Sequence, residues 1–187
     1  RGVGLYRMFF GVAHDAPGPS FRKAIFAPYK ATRPPAPPDL SQQMVRVKEV
    51  ATAWGLHPLE LAGFEADDII ATITRQAREA GLSVVIVSAD KDLLQLVTDG
   101  VTMYDTMREK VFGHAETIER MGVPPEQVRD LLALMGDSSD NVPGVKGVGQ
   151  KTAAKLLEDH GSLDGIYAAI DEIKQIFRCL ADDPQQR

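Results

Sequence analysis

Residues 84 to 87, Val-Val-Ile-Val, run apolar without polar alternation, the pattern of a strand buried on both faces of a parallel sheet. Upstream, Ala66 to Ala80 carries Ile69, Ile70 and Ile73 at helical spacing and stops at Gly81, a residue suited to the position just past a helix. Further apolar runs predict strands at Phe9 to Ala13, His57 to Leu61 and Val101 to Tyr104. Strands thus alternate with helices, and the predicted class is α/β, a parallel-sheet core with helices on both faces. Trp54 and most other aromatics are read as core. Beyond about residue 114 the pattern turns helical. Pro124-Pro125 can start a helix, Val128, Leu131, Leu132 and Met135 give it an apolar stripe, and Gly136 can end it.

Prolines change this picture between the first two strands. Seven of them, from Pro17 to Pro38, interrupt regular structure and predict a mobile loop or arch over 17–48. The expected organisation is a core over 1–113 containing this arch, then a small helical lobe over 114–175. No apolar run approaches the roughly 20 residues of a membrane span, and no secretory signal opens the chain, so a soluble, cytoplasmic protein with no membrane partner is expected. The single cysteine, Cys179, has no partner for a disulfide or a Cys/His metal site.

The formal charge of −5 argues against a nucleic-acid partner until its distribution is read. From Pro19 to Lys48, Arg22, Lys23, Lys30, Arg33, Arg46 and Lys48 face one acid, Asp39. From Asn141 to Leu157, Lys146, Lys151 and Lys155 face none. In the first stretch Phe21-Arg22 and Tyr29-Lys30 mix aromatics with cations, as single-strand binding by stacking and phosphate neutralisation requires. A solvated charged loop is the plainer reading. In the second, Gly144, Gly147 and Gly149 permit a tight turn whose amides, at a helix start near Lys146, Lys151 and Thr152, can take a phosphate. An ordinary glycine-rich connection is the alternative.

The acids follow predicted strands. Asp90 and Asp92 follow Val84–Val87, Asp15 follows the first strand, and Glu65, Asp67 and Asp68 follow the second and open a helix; Asp137 and Asp140 lie in a later loop. In open α/β sheets ligands gather beyond strand carboxyl ends. Carboxylates brought together there would raise one another's pKa values unless a hard divalent cation were present, and magnesium fits oxygen donors. Each acid also has a local reading as a helix cap or turn residue.

Taken in order, the motifs form a longer pattern. Asp15-Ala16-Pro17-Gly18 with Phe21-Arg22, Tyr29-Lys30 with Arg33-Pro34-Pro35, Glu65-Ala66-Asp67-Asp68, the stretch Ser88 to Leu96 and the stretch Gly136 to Gly144 resemble the 5′-nuclease domain of bacterial DNA polymerase I, a family that includes flap endonucleases. The resemblance runs from about Val12 to Lys174 and leaves 176–187 as a divergent tail. It implies a 5′-3′ exonuclease or flap endonuclease acting on 5′-flap, nicked or gapped DNA and RNA-primer junctions, in replication and repair, in the bacterial nucleoid, with a polymerase module fused or separate.

The resemblance further implies two magnesium ions, replaceable by manganese: one held by Asp15, Glu65 and Asp67, the other by Asp67, Asp90, Asp92 and Asp140, with Asp68 and Asp137 in the same acidic cluster. It places Lys30 and Arg33 in an arch over the active site, as groups acting on the phosphate beside Arg22 and Tyr29. It makes Gly144 to Lys151 a helix-hairpin that grips duplex DNA and holds a potassium ion. The family also opens with an Asp-bearing strand that has no counterpart after Arg1, which implies a truncated member, and it places an apolar aromatic where His14 stands. Two other readings compete: a relic that grips DNA without cutting it, and an aspartate-nucleophile phosphatase, whose Asp-x-Asp-Thr/Val pattern is broken here by Leu93.

Overall fold

A computed structural model describes residues 8–171, 173 and 174; the tail 176–187 and Cys179 lie outside them. The chain divides into two units. The first comprises 1–83 with 139–141, and the second 84–138 with 142–187.

In the first unit β1 (Gly11–Ala13) pairs in parallel with β2 (His57–Leu59), with Gly11 opposite His57 and Ala13 opposite Leu59. The segment between them is less irregular than its prolines suggest. A short α1 (Phe21–Ile25) and a series of turns are followed by α2 (Pro38–Ala53), so the last part of the predicted arch is helix. The reason lies in proline's position: at the first turn of a helix its missing N–H costs nothing, and from Asp39 to Trp54 no further proline or glycine interrupts. Trp54 ends α2 and is 80 % exposed rather than core. α3 (Ala66–Glu79) forms as predicted, and Gly81 beyond it has φ +75, the left-handed conformation that favours glycine.

In the second unit β3 (Val84–Val87) pairs in parallel with β4 (Val101–Asp105), and β5 (Lys110–Phe112) adds antiparallel to β4. The expectation that β3 is buried on both faces does not hold. Ile86 is buried, but Val85 and Val87 are each 63 % exposed. Successive side chains of a strand point to opposite faces, and only the face bearing Ile86, Val101, Met103 and Phe112 meets the core. The core is completed by α4 (His114–Met121) and α5 (Val128–Met135), which bury Met121, Val128, Leu131 and Leu134. A two-residue pairing of β6 (Gly136–Asp137) with β7 (Val142–Pro143) leads into α6 (Gln150–His160) and α7 (Leu163–Ala168). The class is α/β with a helical C-terminal part. Among the described residues its strands fall in separate small sheets, one parallel pair in each unit.

The β6–β7 crossing explains two glycines. A Cβ on Gly136, where φ is +73, would lie 2.3 Å from the Gly144 nitrogen, and one on Gly144 would lie 2.2 Å from the carbonyl carbon of Met135. Two backbone segments touch there, and no other residue fits without moving them. No helix among the described residues is long and apolar enough to cross a membrane.

Candidate nuclease site

In the first unit the predicted site residues gather around Glu65, the residue preceding α3. The Glu65 carboxylate accepts hydrogen bonds from Ser20 Oγ at 2.9 Å, from the Tyr29 hydroxyl at 2.9 Å and from Lys30 Nζ at 2.8 Å. The Tyr29 hydroxyl is also 3.0 Å from Asp140 Oδ2. With a single proton it donates to one carboxylate at a time, and so ties the two acids together. Arg33 pairs with Asp140, and Lys30 Nζ lies 3.9 Å from the same carboxylate. Arg22 grips Asp68 through two parallel hydrogen bonds of 2.7 Å, the fork geometry that makes guanidinium–carboxylate pairs strong.

The backbone closes the same cluster. Lys30 N donates to Asp140 O at 2.8 Å, Asn141 Nδ2 donates to Pro28 O at 2.8 Å, and Arg33 Nε donates to Ser139 O at 3.3 Å. Lys30 and Asn141 both adopt left-handed backbone, φ +54 and +56, unusual outside glycine and held here by these contacts. Ser20, Ser139 and Asn141 carry no local sequence signal for these roles, because the partner that gives each its role lies far along the chain.

These contacts set the titration behaviour. Burial alone would raise Glu65, but its bonds from Lys30, Ser20 and Tyr29 outweigh that and hold it below the usual carboxylate range. Asp68 is lowered chiefly by its bond from Arg22. Burial raises the Tyr29 hydroxyl well above its ordinary value, and its bonds to Glu65 and Asp140 raise it further. Tyr29 is 7 % exposed and offers no free face for stacking on a base; its hydroxyl oxygen meets the acids. Of Phe21 and Tyr29 it is Phe21 that is exposed, 5.6 Å from Phe64 with the Arg22 guanidinium over its ring.

The helix-start acids keep part of their local reading. Asp68 accepts from Glu65 N at 2.9 Å as well as from Arg22, and Asp15 Oδ1 accepts from Ala66 N at 2.7 Å, capping α3 from a distance. Asp67 sits half-buried in the first turn of the same helix. His14 is buried, in the slot where the resemblance places an apolar aromatic, and its Nε2 has no hydrogen-bond partner.

In the second unit Asp90 caps the 3-10 turn Lys91–Leu96, accepting from Asp92 N at 2.9 Å. Lys91 Nζ donates to Asp92 Oδ1 and to Asp137 Oδ2, each at 3.0 Å. Burial raises Asp92 above the ordinary carboxylate value, and Lys91 offsets this only in part, while Asp90 and Asp137 push the same way as burial. For Lys91 burial works against the charge, yet its bonds to Asp137 and Asp92 leave it above the usual lysine value. Lys91 has a readable signal in the sequence, its place inside Asp90-Lys91-Asp92, but its second partner, Asp137, lies 46 residues away.

The described residues contain no group of three acidic, His or Cys side chains arranged around a common point. Their carboxylates are instead partnered by Arg22, Lys30, Arg33 and Lys91. The donor chemistry still fits a hard divalent ion, since every candidate ligand is a carboxylate oxygen. Between β7 and α6, Gly147 turns at φ +81, Val148 N donates to Val145 O, and Gly149 caps α6; Lys146, Lys151 and Thr152 stand exposed.

A model described as the 5′-3′ exonuclease N-terminal resolvase-like domain matches residues 6–122, and one described as the 5′-3′ exonuclease C-terminal SAM fold matches 123–186. DNA polymerase I of Rhizobium leguminosarum is 48 % identical over 176 residues, 94 % of this chain and 17 % of that protein. The 5′-3′ exonuclease of Aquifex aeolicus is 42 % identical over 166 residues, 89 % of this chain and 57 % of that protein. The chain thus spans less than a fifth of the polymerase and little more than half of the exonuclease. Among solved structures, bacteriophage T5 5′-exonuclease with bound zinc aligns with a TM-score of 0.73 at 26 % identity, covering 84 % of this chain and 62 % of that one. The T5 flap endonuclease in a complex with DNA and metal ions aligns with a TM-score of 0.68 at 25 % identity, covering 82 % and 60 %. These matches leave the phosphatase reading without support: the chain belongs to the 5′-3′ exonuclease family.

Proposed function

We propose that this chain is a magnesium-dependent 5′-nuclease that hydrolyses phosphodiester bonds at 5′ flaps, nicks, gaps and RNA-primer junctions. One observation carries the reading: Tyr29, Lys30 and Arg33 converge on the carboxylates of Glu65 and Asp140, so cations able to take a phosphate stand beside acids able to take a metal. In this reading Asp15, Glu65, Asp67, Asp68 and Asp140 of the first unit and Asp90, Asp92 and Asp137 of the second are the metal ligands, and manganese replaces magnesium. A bound divalent ion supplies an activated water and charge neutralisation at the phosphate.

The chain's own residues do the rest. Lys30 and Arg33 leave their carboxylates for the phosphate oxygens, where two positive charges favour the transition state over the ground state. Glu65 and Asp140 thereby lose their internal cations at the moment they are needed as ligands. Tyr29 keeps the two acids at a fixed spacing, and Arg22 fixes the start of α3 through Asp68. Lys146, Lys151, Thr152 and the amides near Gly144, Gly147 and Gly149 grip duplex phosphates without reading sequence, with a potassium ion in the turn. A fused or separate polymerase module would use the cleared template.

The test is incubation with a 5′-labelled flap DNA with and without magnesium. Magnesium-dependent release of the flap is expected. Binding without any cleavage would favour the DNA-gripping relic instead.

A further inference from the structure

Lys91 sits between two carboxylates, within hydrogen-bond distance of both. Its Nζ is 3.0 Å from Asp92 Oδ1 and 3.0 Å from Asp137 Oδ2, and Asp137 is the more shielded of the two acids. Asp90 does not share the ammonium; its carboxylate is committed to the backbone N–H of Asp92. We propose that Lys91 is a resident counter-cation of the second unit's acids, a positioning residue that holds Asp92 and Asp137 together in the metal-free protein and must be displaced when a divalent ion takes their oxygens.

The inference rests on the metal-nuclease reading and goes beyond it, because it assigns a role to a residue that no part of that reading uses. The physical argument is competition for lone pairs. An ammonium and a divalent ion both require the inward oxygens of Asp92 and Asp137, but the ion needs them at roughly 2.0 to 2.1 Å and repels a positive charge held next to it. Each metal-binding event therefore breaks two charge-assisted hydrogen bonds and moves the ammonium away. Metal affinity is set lower than the carboxylates alone would give. In exchange, the metal-free protein avoids leaving two partly buried acids to repel each other.

The experiment is direct binding of Mn2+ to the protein without DNA, followed by loss of the free-ion electron paramagnetic resonance signal, alongside thermal melts with and without Mn2+. Lys91→Met is expected to bind Mn2+ about tenfold more tightly than wild type, to melt at a lower temperature without metal, and to gain more from metal. Lys91→Arg keeps the charge and stays near wild type. In an Asp92→Asn background the gain from Lys91→Met disappears, which localises the effect. If Lys91→Met does not fold, Lys91→Gln carries the same expectation. Unchanged or weaker Mn2+ binding in the neutral variants would overturn the proposal while leaving the nuclease reading intact. A wild-type protein that binds no Mn2+ would overturn both, and flap cleavage with and without magnesium tells that case apart.

Discussion

The second unit buries Ile86, Leu94, Val101, Met103, Phe112, Val128, Leu131, Leu134 and Leu157, whereas the first, among the described residues, buries only Tyr29 and Ala51 of its apolar side chains. What the first unit has instead is a lattice of ion pairs and hydrogen bonds from Arg22, Tyr29, Lys30 and Arg33 to Glu65, Asp68 and Asp140. The two regions also differ in charge balance. In the first, cations are plentiful, and Glu65 and Asp68 are pulled below their usual pKa values; in the second, one lysine serves Asp92 and Asp137, and Asp92 is pushed up. A carboxylate's behaviour is thus decided by its local supply of cations relative to its burial. The cation-rich acids suit a site that opens when a phosphate draws the cations off. In the proposed reading the cation-poor acids are freed in turn when a divalent ion displaces their one lysine.

Asp92→Ala should have the largest effect. It removes a proposed metal ligand from the cation-poor side without touching the basic surfaces, so magnesium-dependent flap cleavage should fall on the order of a thousandfold, about 4 kcal/mol in the barrier, while DNA binding persists. Cleavage and binding measured on one substrate decide it, and unchanged cleavage would remove the acidic clusters from the chemistry. Leu131→Ala, in the fully buried stripe of α5, should cost about 3 kcal/mol by urea denaturation, since it opens a cavity in the unit that depends on apolar burial.

Arg22→Met should cost less, about 1 to 2 kcal/mol at neutral pH, because it strips Asp68 of its two-pronged partner at a half-exposed site. Its pH dependence has a definite sign. Asp68 and Glu65 have lowered folded pKa values, so their stabilisation is fully present above the unfolded value of about 4 and is lost as pH falls through the folded one. Arg22→Met should flatten that acid limb. Asp92, raised in the folded state, contributes in the opposite sense: its part is present below about pH 4 and is lost as pH rises through its folded value. Stability measured from pH 3 to 7 for Arg22→Met and Asp92→Asn should separate the two slopes, and parallel curves would mean that the charge balance does not differ. The smallest effect is expected away from both clusters. Lys146→Ala and Lys151→Ala should each weaken DNA binding a few-fold, equally across sequences, and lower the slope of log affinity against log salt by roughly one. A loss confined to one sequence would point to base readout instead.

Periodicity, punctuating glycines and ordered motifs are local properties of the chain, and they suffice for the strands at Val84–Val87 and Val101, the helix ending before Gly81, the helix ending at Gly136 and the family. The sequence also flagged Glu65, Asp68, Asp92 and Asp140 as acids of consequence. Tertiary structure alone decided what each of them touches. Tyr29 reads in the sequence as a stacking aromatic, but it is buried with its hydroxyl on Glu65, 36 residues away, and on Asp140, 111 residues away. Pro38 reads as one of the prolines that interrupt the arch and instead starts a helix, since proline breaks a helix in its interior and is tolerated in its first turn. Gly144 reads as a phosphate-binding glycine, yet its backbone lies against Met135 and Gly136, where no side chain has room. Val87 and Ile86 are neighbours of the same chemical type on one strand, and only the packing of β3 leaves the first exposed and the second buried. Local pattern fixes which conformation a segment takes; which partner meets its side chains depends on contacts between residues distant in the chain, and no periodicity records those.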